Sequence, residues 1–536
     1  MISTREIEGF LAEFEGRVVP AERAVSEAWW SLATTGSEEA KEELVRAGNE
    51  YNALFADREE FERVKSWHER RGDLESPLLR RQVEVLYLTF AGRQGDEKTL
   101  RRIEELEAEA NAIYGNYRGR VDGRDVGENE IREILRSSDD LALRREAWEA
   151  QKSVGRAVEG TVRELARLRN RLARQQGYPD HYHRSLVLQE IDPEELVALM
   201  SALEATTGRP FRELKAHIDE SLKERFGVEK VMPWHLWDPF FQEPPEGSGE
   251  EMDRYFADAD LEALTRRTYD AMDLDVRGVM ARSDLYERSG KSQHAFCLRV
   301  GRDYPYDVRV LANLRPGEPD AYWANTMLHE FGHAVYDRHI NPGLPYLLRT
   351  VAHTCVTEGI AIMMDSLTED QGWLSSVAGV ADPDAEGLAA RRRAKGLVFA
   401  RWALVMFHFE RELYADPERE DLNGLWWDLV ERFQLVERPP ERDYPDWAAK
   451  IHVAIAPVYY HNYVLGHLIA AQLRRHLEVG VARGAFYESP VTGRYLIESL
   501  FGPGARADWR NTVLHATGEP LNPEHFVRSL LGDGAR

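Results

Sequence analysis

Apolar residues recur at three- and four-residue spacing along most of this 536-residue chain, and a period sustained over so much sequence admits little but packed helices. Leu100–Tyr114 (LRRIEELEAEANAIY) shows the pattern plainly, with charges filling the opposite face. The same reading predicts helices over Arg144–Gln175, Arg212–Phe226, Leu261–Met272 and Asp421–Phe433. One stretch departs from it. Gln293–Leu314 (QHAFCLRVGRDYPYDVRVLANL) carries β-branched and aromatic residues around a Gly-Arg-Asp break, which predicts a short two-stranded ribbon. Such a ribbon is either a structural hairpin or, if its edge is open, a place for an extended peptide to add by main-chain hydrogen bonds. Pro/Gly-rich breaks at Gln242–Gly249 and Glu437–Pro445 are read as loops within one fold, because helical segments resume on each side. There is no repeat of fixed period and no low-complexity run. The expectation is a single, mainly α domain over residues 1–536.

Charge and cysteine content narrow the function classes. A net charge of -24 sets the chain against nucleic acid and anionic membrane surfaces, and a solvated acidic surface accounts for it. Two cysteines, Cys297 and Cys355, make no disulfide framework. The N-terminal stretch has no basic segment followed by an apolar one. No uncharged apolar run approaches the roughly 18 residues that span a bilayer. A cytoplasmic location is expected.

The residues that carry chemistry begin with His329-Glu330-Phe331-Gly332-His333, an H-E-x-x-H sequence within ANTMLHEFGHAVYD. Helical positions four apart share a face, so both imidazoles can reach one ion, and Glu330 is placed to act on a nearby water. A peptidase centre of this kind needs a third protein ligand. His339 stands at the metzincin distance, but the glycine that turns that chain is here Tyr336, and a continuing helix carries His339 off the ligand face. Glu358 is the other candidate, at the start of the helical stretch HTCVTEGIAIMMDSL. There it is either a ligand, brought close to the first helix beside Gly359, or a helix N-terminal acid favoured by the dipole. Asp365, seven residues on and on the same face, either orients a ligating imidazole or is a solvated acid. Further along, Tyr459, Tyr460 and Tyr463 fall at helical spacings. They form either a core aromatic stripe or a row of hydroxyls with work to do.

With these motifs in place, the chain resembles the angiotensin-converting enzyme family, a gluzincin group, and more distantly the thimet oligopeptidase family. The resemblance runs from about Phe14 to Leu531 and is carried weakly by AWWSLATTG, LRNRLARQQGYPDHY, MPWHLWDPFF and GPGARADWRNTVLHATGEPLNPEHFVRSL. It is carried sharply by three segments: HEFGH with LPYLLRTVAHTCVTE, the pair His294-Ala295 in HAFC (like the family's HAS), and Glu431–Gly466. The resemblance implies a large two-lobed helical metallopeptidase fold with a deep central channel and a ribbon beside the active-site helix. The helices and ribbon fall within 290–370, and a substrate and oxyanion segment falls at 445–470. It implies one zinc ion held by His329, His333 and Glu358, with Glu330 as base. By the same likeness, Lys450 and Tyr460 bind the substrate's C-terminal carboxylate, His294 and the Ala295 main chain hold the peptide, and His452 and Tyr463 serve the carbonyl and oxyanion.

The departures from the family pattern are also specific. The His452–Tyr463 spacing is one residue longer than in the converting enzymes. Asn462 replaces an arginine that binds an activating chloride, and Ile362 replaces an acid four residues after the third ligand. No residue presents itself in the sequence for the family's carboxylate-binding glutamine. The function expected is zinc-dependent hydrolysis of short peptides with release of C-terminal dipeptides. An endo-acting oligopeptidase and a single-residue carboxypeptidase are the neighbouring readings, and a non-catalytic peptide-binding protein is the one from another class.

Overall fold

The structure, a computed structural model, describes residues 4–245 and 252–532. It is mainly α, as the periodicity predicts, and its residues divide into two compact units, each assembled from separated pieces of chain. Among the described residues no helix is long and apolar enough to cross a membrane.

The first unit comprises Met1–Gln94, Gly247–Leu388 and Leu465–Phe526. Its N-terminal helices, Thr4–Thr35, Glu38–Ala56, Arg58–Glu69 and Pro77–Gly92, close around Phe10, Phe14, Phe55, Trp67 and Phe90. Their ends are fixed by local chemistry: Ser37, Asp57 and Ser76 each accept a first-turn N–H, and Pro77 follows Ser76 at a position that needs no amide proton. The same unit holds a three-stranded sheet. Strand Phe296–Arg299 pairs antiparallel with the central strand Val308–Leu314, which also pairs parallel with Asp284–Tyr286. The ribbon of the sequence reading is therefore two strands of three. Asp284–Tyr286 escapes a pattern search because three residues are too few to show alternation.

The motif helix, Ala321–Arg338, follows the central strand and starts on an N-cap in which Asp320 accepts from Trp323 N–H. The second helix of the centre, Thr354–Asp365, is capped by the ring of His353, which accepts from Cys355 N–H at 3.0 Å. Cys297 and Cys355 are both free thiols.

The second unit comprises Gly95–Glu246, Ala389–Val464 and Val527–Arg536. Helices Glu97–Asn116, Leu141–Gln175, Leu261–Ala271 (of the first unit) and Leu422–Gln434 lie where periodicity places them, to within a few residues. The stretch expected to start at Arg212 belongs to a longer helix, Pro193–Phe226, that runs straight through Gly208 and Pro210. A short hairpin, Gly119–Val121 with Arg124–Val126, was also not foreseen; its turn is Asp122-Gly123, both at positive φ. The core of this unit is unusually rich in tryptophan: Trp148, Trp402, Trp426 and Trp447 are all fully buried. Asp446, fully buried among them, takes two hydrogen bonds from Arg442 and one from Trp427 Nε1. Glu437–Pro445 is a loop, as expected, as are the described residues 242–245; residues 246–249 of that break lie outside the described residues.

Candidate functional site

The motif helix presents His329 and His333 one turn apart, their rings 5.0 Å between centroids and nearly perpendicular. Thr354–Asp365 brings Glu358 to them: one ligand atom from each of His329, His333 and Glu358 lies within 4.8 Å of the others. His339 is not part of this group. It ends the motif helix, where its Nδ1 donates to Val335 O at 2.8 Å and its ring lies against Phe501.

The ring nitrogens are committed in a way that matters. Asp365 Oδ2 lies 2.8 Å from His329 Nδ1, and Thr357 Oγ1 lies 2.7 Å from His333 Nδ1. A carboxylate accepts only, so His329 donates from Nδ1 to Asp365 and turns Nε2 toward Glu358, whose Oε2 is 3.7 Å away. The Thr357 hydroxyl, which can donate or accept, holds Nδ1 of the second imidazole in the same way. Asn325 fixes the far end of this arrangement by donating to the Asp365 carbonyl.

Glycine sets the distance between the helices. A Cβ on Gly332 would stand 2.9 Å from Ala361 Cα, so the motif helix and the Glu358 helix touch backbone to backbone there. Gly359, beside Glu358, makes a different close approach. Its missing Cβ faces Ile469 Cγ2 at 2.6 Å, on helix Tyr460–His476. From that helix Gly466 in turn lies against Glu358, where an added Cβ would come within 3.0 Å of the glutamate's Cβ.

Glu330, 8% exposed, points from the motif helix to the sheet and accepts the N–H of Cys297. Burial pushes its carboxyl up to about 7, with His329 opposing. Burial also works against charge on His329, but the Asp365 hydrogen bond and the surrounding carboxylates outweigh it and raise the ring to about 9. His333, buried and next to His329, is lowered to about 3. Strand Phe296–Arg299 is an edge of its sheet, and His294, exposed, and Ala295 lead directly into it.

The remaining predicted residues belong to the second unit, where they form a cluster of their own. Lys450 Nζ donates to Gln242 Oε1 at 2.5 Å, and Tyr460 O–H donates to the same oxygen at 3.2 Å. Trp402 Nε1 donates to the Tyr460 oxygen at 2.8 Å. Asp238 accepts from both the main chain and the side chain of Gln242 and so orients it. The Lys450 ammonium also lies near the rings of Trp402, Phe240 and Tyr460, 5.4 to 5.8 Å from their centroids. Among the described residues no carboxylate pairs with it. Burial lowers its amine to about 8, with Asp238 opposing.

His452 stacks edge-on to Tyr460, with its Nδ1 buried and without a hydrogen-bond partner among the described residues. Burial and Lys450 lower its ring to about 4, so it is neutral. Tyr463 packs against Tyr460 and Tyr459, 5.6 and 5.3 Å between centroids. Asn462 is buried and donates to Gln189 Oε1 at 2.9 Å. Sequence reasoning missed Gln242, Trp402 and Thr357. Gln242 sits at the start of a proline-rich break, 208 positions from Lys450, and no local spacing relates them.

A helical fold with two imidazoles and a glutamate converging, and a second glutamate beside them, defines a metallopeptidase centre. The comparisons with known proteins agree. The model of Peptidase family M3 matches residues 134–529, and the chain belongs to that family. It is accordingly a metallopeptidase that hydrolyses peptide bonds. The model described as Angiotensin-converting enzyme matches residues 2–236. Among individually curated proteins, none matches the chain.

Proposed function

We propose that the protein is a zinc-dependent peptidyl-dipeptidase of the cytoplasm, removing dipeptides from the C-terminus of short peptides. The observation that carries the carboxyl-end specificity is Lys450. A half-buried ammonium whose hydrogen-bond partner is a neutral amide, beside a phenol and aromatic faces, is suited to receive an incoming carboxylate. Gln242 and Tyr460 supply the further donors such a ligand needs.

The donor set suits one divalent ion: two imidazoles whose Nδ1 atoms are engaged by Asp365 and Thr357, and one carboxylate, in the N/O chemistry that zinc takes. When bound, the ion supplies Lewis-acid polarisation and lowers the pKa of water near it. The chain's own groups do the rest. Glu330, oriented by Cys297 N–H, takes the proton of the attacking water and returns it to the leaving amine. Tyr463 O–H is assigned to the oxyanion, and neutral His452, with one N–H to give, to the neighbouring carbonyl. His294 and the Ala295 main chain hold the peptide on the sheet edge.

A second reading, an endo-acting oligopeptidase of the thimet type, is favoured by one observation. The M3 match takes in every metal and tyrosine residue named above, while the converting-enzyme match ends at residue 236. Incubation with one unmodified octapeptide, with and without chelator, and mass spectrometry of the products separates the two. Successive loss of C-terminal dipeptides, abolished by chelator and restored by zinc, is expected. Internal cuts establish the second reading, and single-residue losses a metallocarboxypeptidase. No cleavage by zinc-loaded protein overturns catalysis altogether.

A further inference from the structure

The sheet edge beside Glu330 carries an aromatic feature that neither the metal chemistry nor the carboxylate cluster uses. Phe296 opens the edge strand at the third position of HAF, where the resembling motif HAS has serine. On one side of it stand two consecutive tryptophans of helix Thr4–Thr35, with ring centroids 6.0 Å (Trp29) and 6.3 Å (Trp30) from that of Phe296. Trp30 is further covered by the Arg309 guanidinium, 5.4 Å from its centroid. Among the described residues no guanidinium covers Trp29 in this way, and it is 45% exposed. An indole held against a phenyl on one side and open on the other is an exposed apolar surface with a defined shape.

This arrangement is rigidly built. Ser292 N–H donates to Ala33 O at 2.8 Å, and Arg288 donates to Thr34 O at 2.8 Å. Gly36 and Gly290 meet so closely that a Cβ on Gly36 would stand 2.2 Å from the Gly290 carbonyl oxygen. The end of the first helix is thereby stapled to the segment that leads into the edge strand, and the tryptophans are fixed relative to it.

Strand geometry says what would lie on this surface. Val310 N–H turns to Ser283 Oγ and Val300 N–H donates to Asp307 O across the pair, so Cys297, opposite Val310, directs its main-chain groups away from the central strand. Residues two apart send their main-chain groups to the same edge, so that edge is the one a substrate backbone would join. Side chains alternate between faces, so the substrate residue opposite Cys297 and its neighbour opposite Phe296 point to opposite sides. We propose that Trp29 and Phe296 form a specificity subsite that selects peptides with an aromatic or large aliphatic side chain at the one position that pairs with Phe296. The proposal rests on the peptide adding to this edge, as in the function proposed above.

The test uses a set of peptides identical except for phenylalanine or alanine at each position in turn. The wild-type enzyme is expected to favour phenylalanine at one position by roughly tenfold in kcat/KM. Trp29→Ala and Phe296→Ser should erase that preference and leave the alanine peptide's kcat/KM within about twofold, with unchanged circular dichroism. Trp29→Phe should keep most of it. The same ratio is read by calorimetric binding to Glu330→Gln, so the subsite is tested even if hydrolysis fails. Equal losses on both peptides, or a preference untouched by either substitution, would overturn the proposal.

Discussion

The metal centre and the Lys450 cluster solve opposite electrostatic problems. The first gathers acceptors: Asp365 and Glu358 flank His329, and Glu330 is buried beside them. The second gathers donors: Lys450 and Tyr460 both donate to the Gln242 amide oxygen, Trp402 donates to Tyr460, and Asp238 accepts from the amide's nitrogen. The key groups of the two sites shift for different reasons. His329 gains a proton affinity near 9 in spite of burial, and burial brings Lys450 down to about 8. The contrast teaches that the sign of the ligand each site suits can be read from whether acceptors or donors converge there.

That contrast can be broken at its strongest point first. Glu330→Gln keeps the amide donor and acceptor geometry but cannot take a proton, so turnover should fall by roughly 10³-fold or more with metal content unchanged by elemental analysis. Wild-type turnover in that variant sinks its role. Tyr463→Phe should lower kcat by about 10²-fold with little change in KM, and an effect on KM alone would move Tyr463 to ground-state binding. Asp365→Ala should weaken metal binding by about 10- to 100-fold in competition with a chromogenic chelator. Thr357→Val, which removes only a neutral partner of His333, should cost less, and equal losses would erase the distinction drawn between the two imidazoles.

The smallest effects sharpen the other half. Lys450→Met should reduce kcat/KM for free-acid peptides by tens of fold and leave C-terminally amidated ones unaffected. In the wild type, Lys450 is charged below about pH 8 and neutral above it. Free-acid kcat/KM should therefore decline as pH rises through that value, with no matching step for the amidated peptide.

How much of this was legible depends on sequence distance. His329, Glu330 and His333 share one helical turn, so spacing alone places them together. Glu358 and Asp365 share a face of a second helix, but their arrival at the first depends on packing that no local pattern encodes; resemblance supplied the ligand. Gln242 was illegible because only tertiary structure joins it to Lys450. The helix through Pro210 was cut short because a Gly-Arg-Pro sequence reads as a break, whereas burial of Leu196, Leu203 and Phe211 on one side holds the helix together. The Asp122-Gly123 hairpin, in contrast, carried a turn signature that could have been read.

The Gly332 contact has a consequence for how the motif tolerates change. Written as H-E-x-x-H, the pattern treats its two middle positions as free. In a library randomising Phe331 and Gly332, the second position should return almost only glycine, because even a methyl group there pushes against the Ala361 backbone 2.9 Å away and shifts Glu358 from the imidazoles it meets. For this chain, the informative signature has four fixed letters out of five.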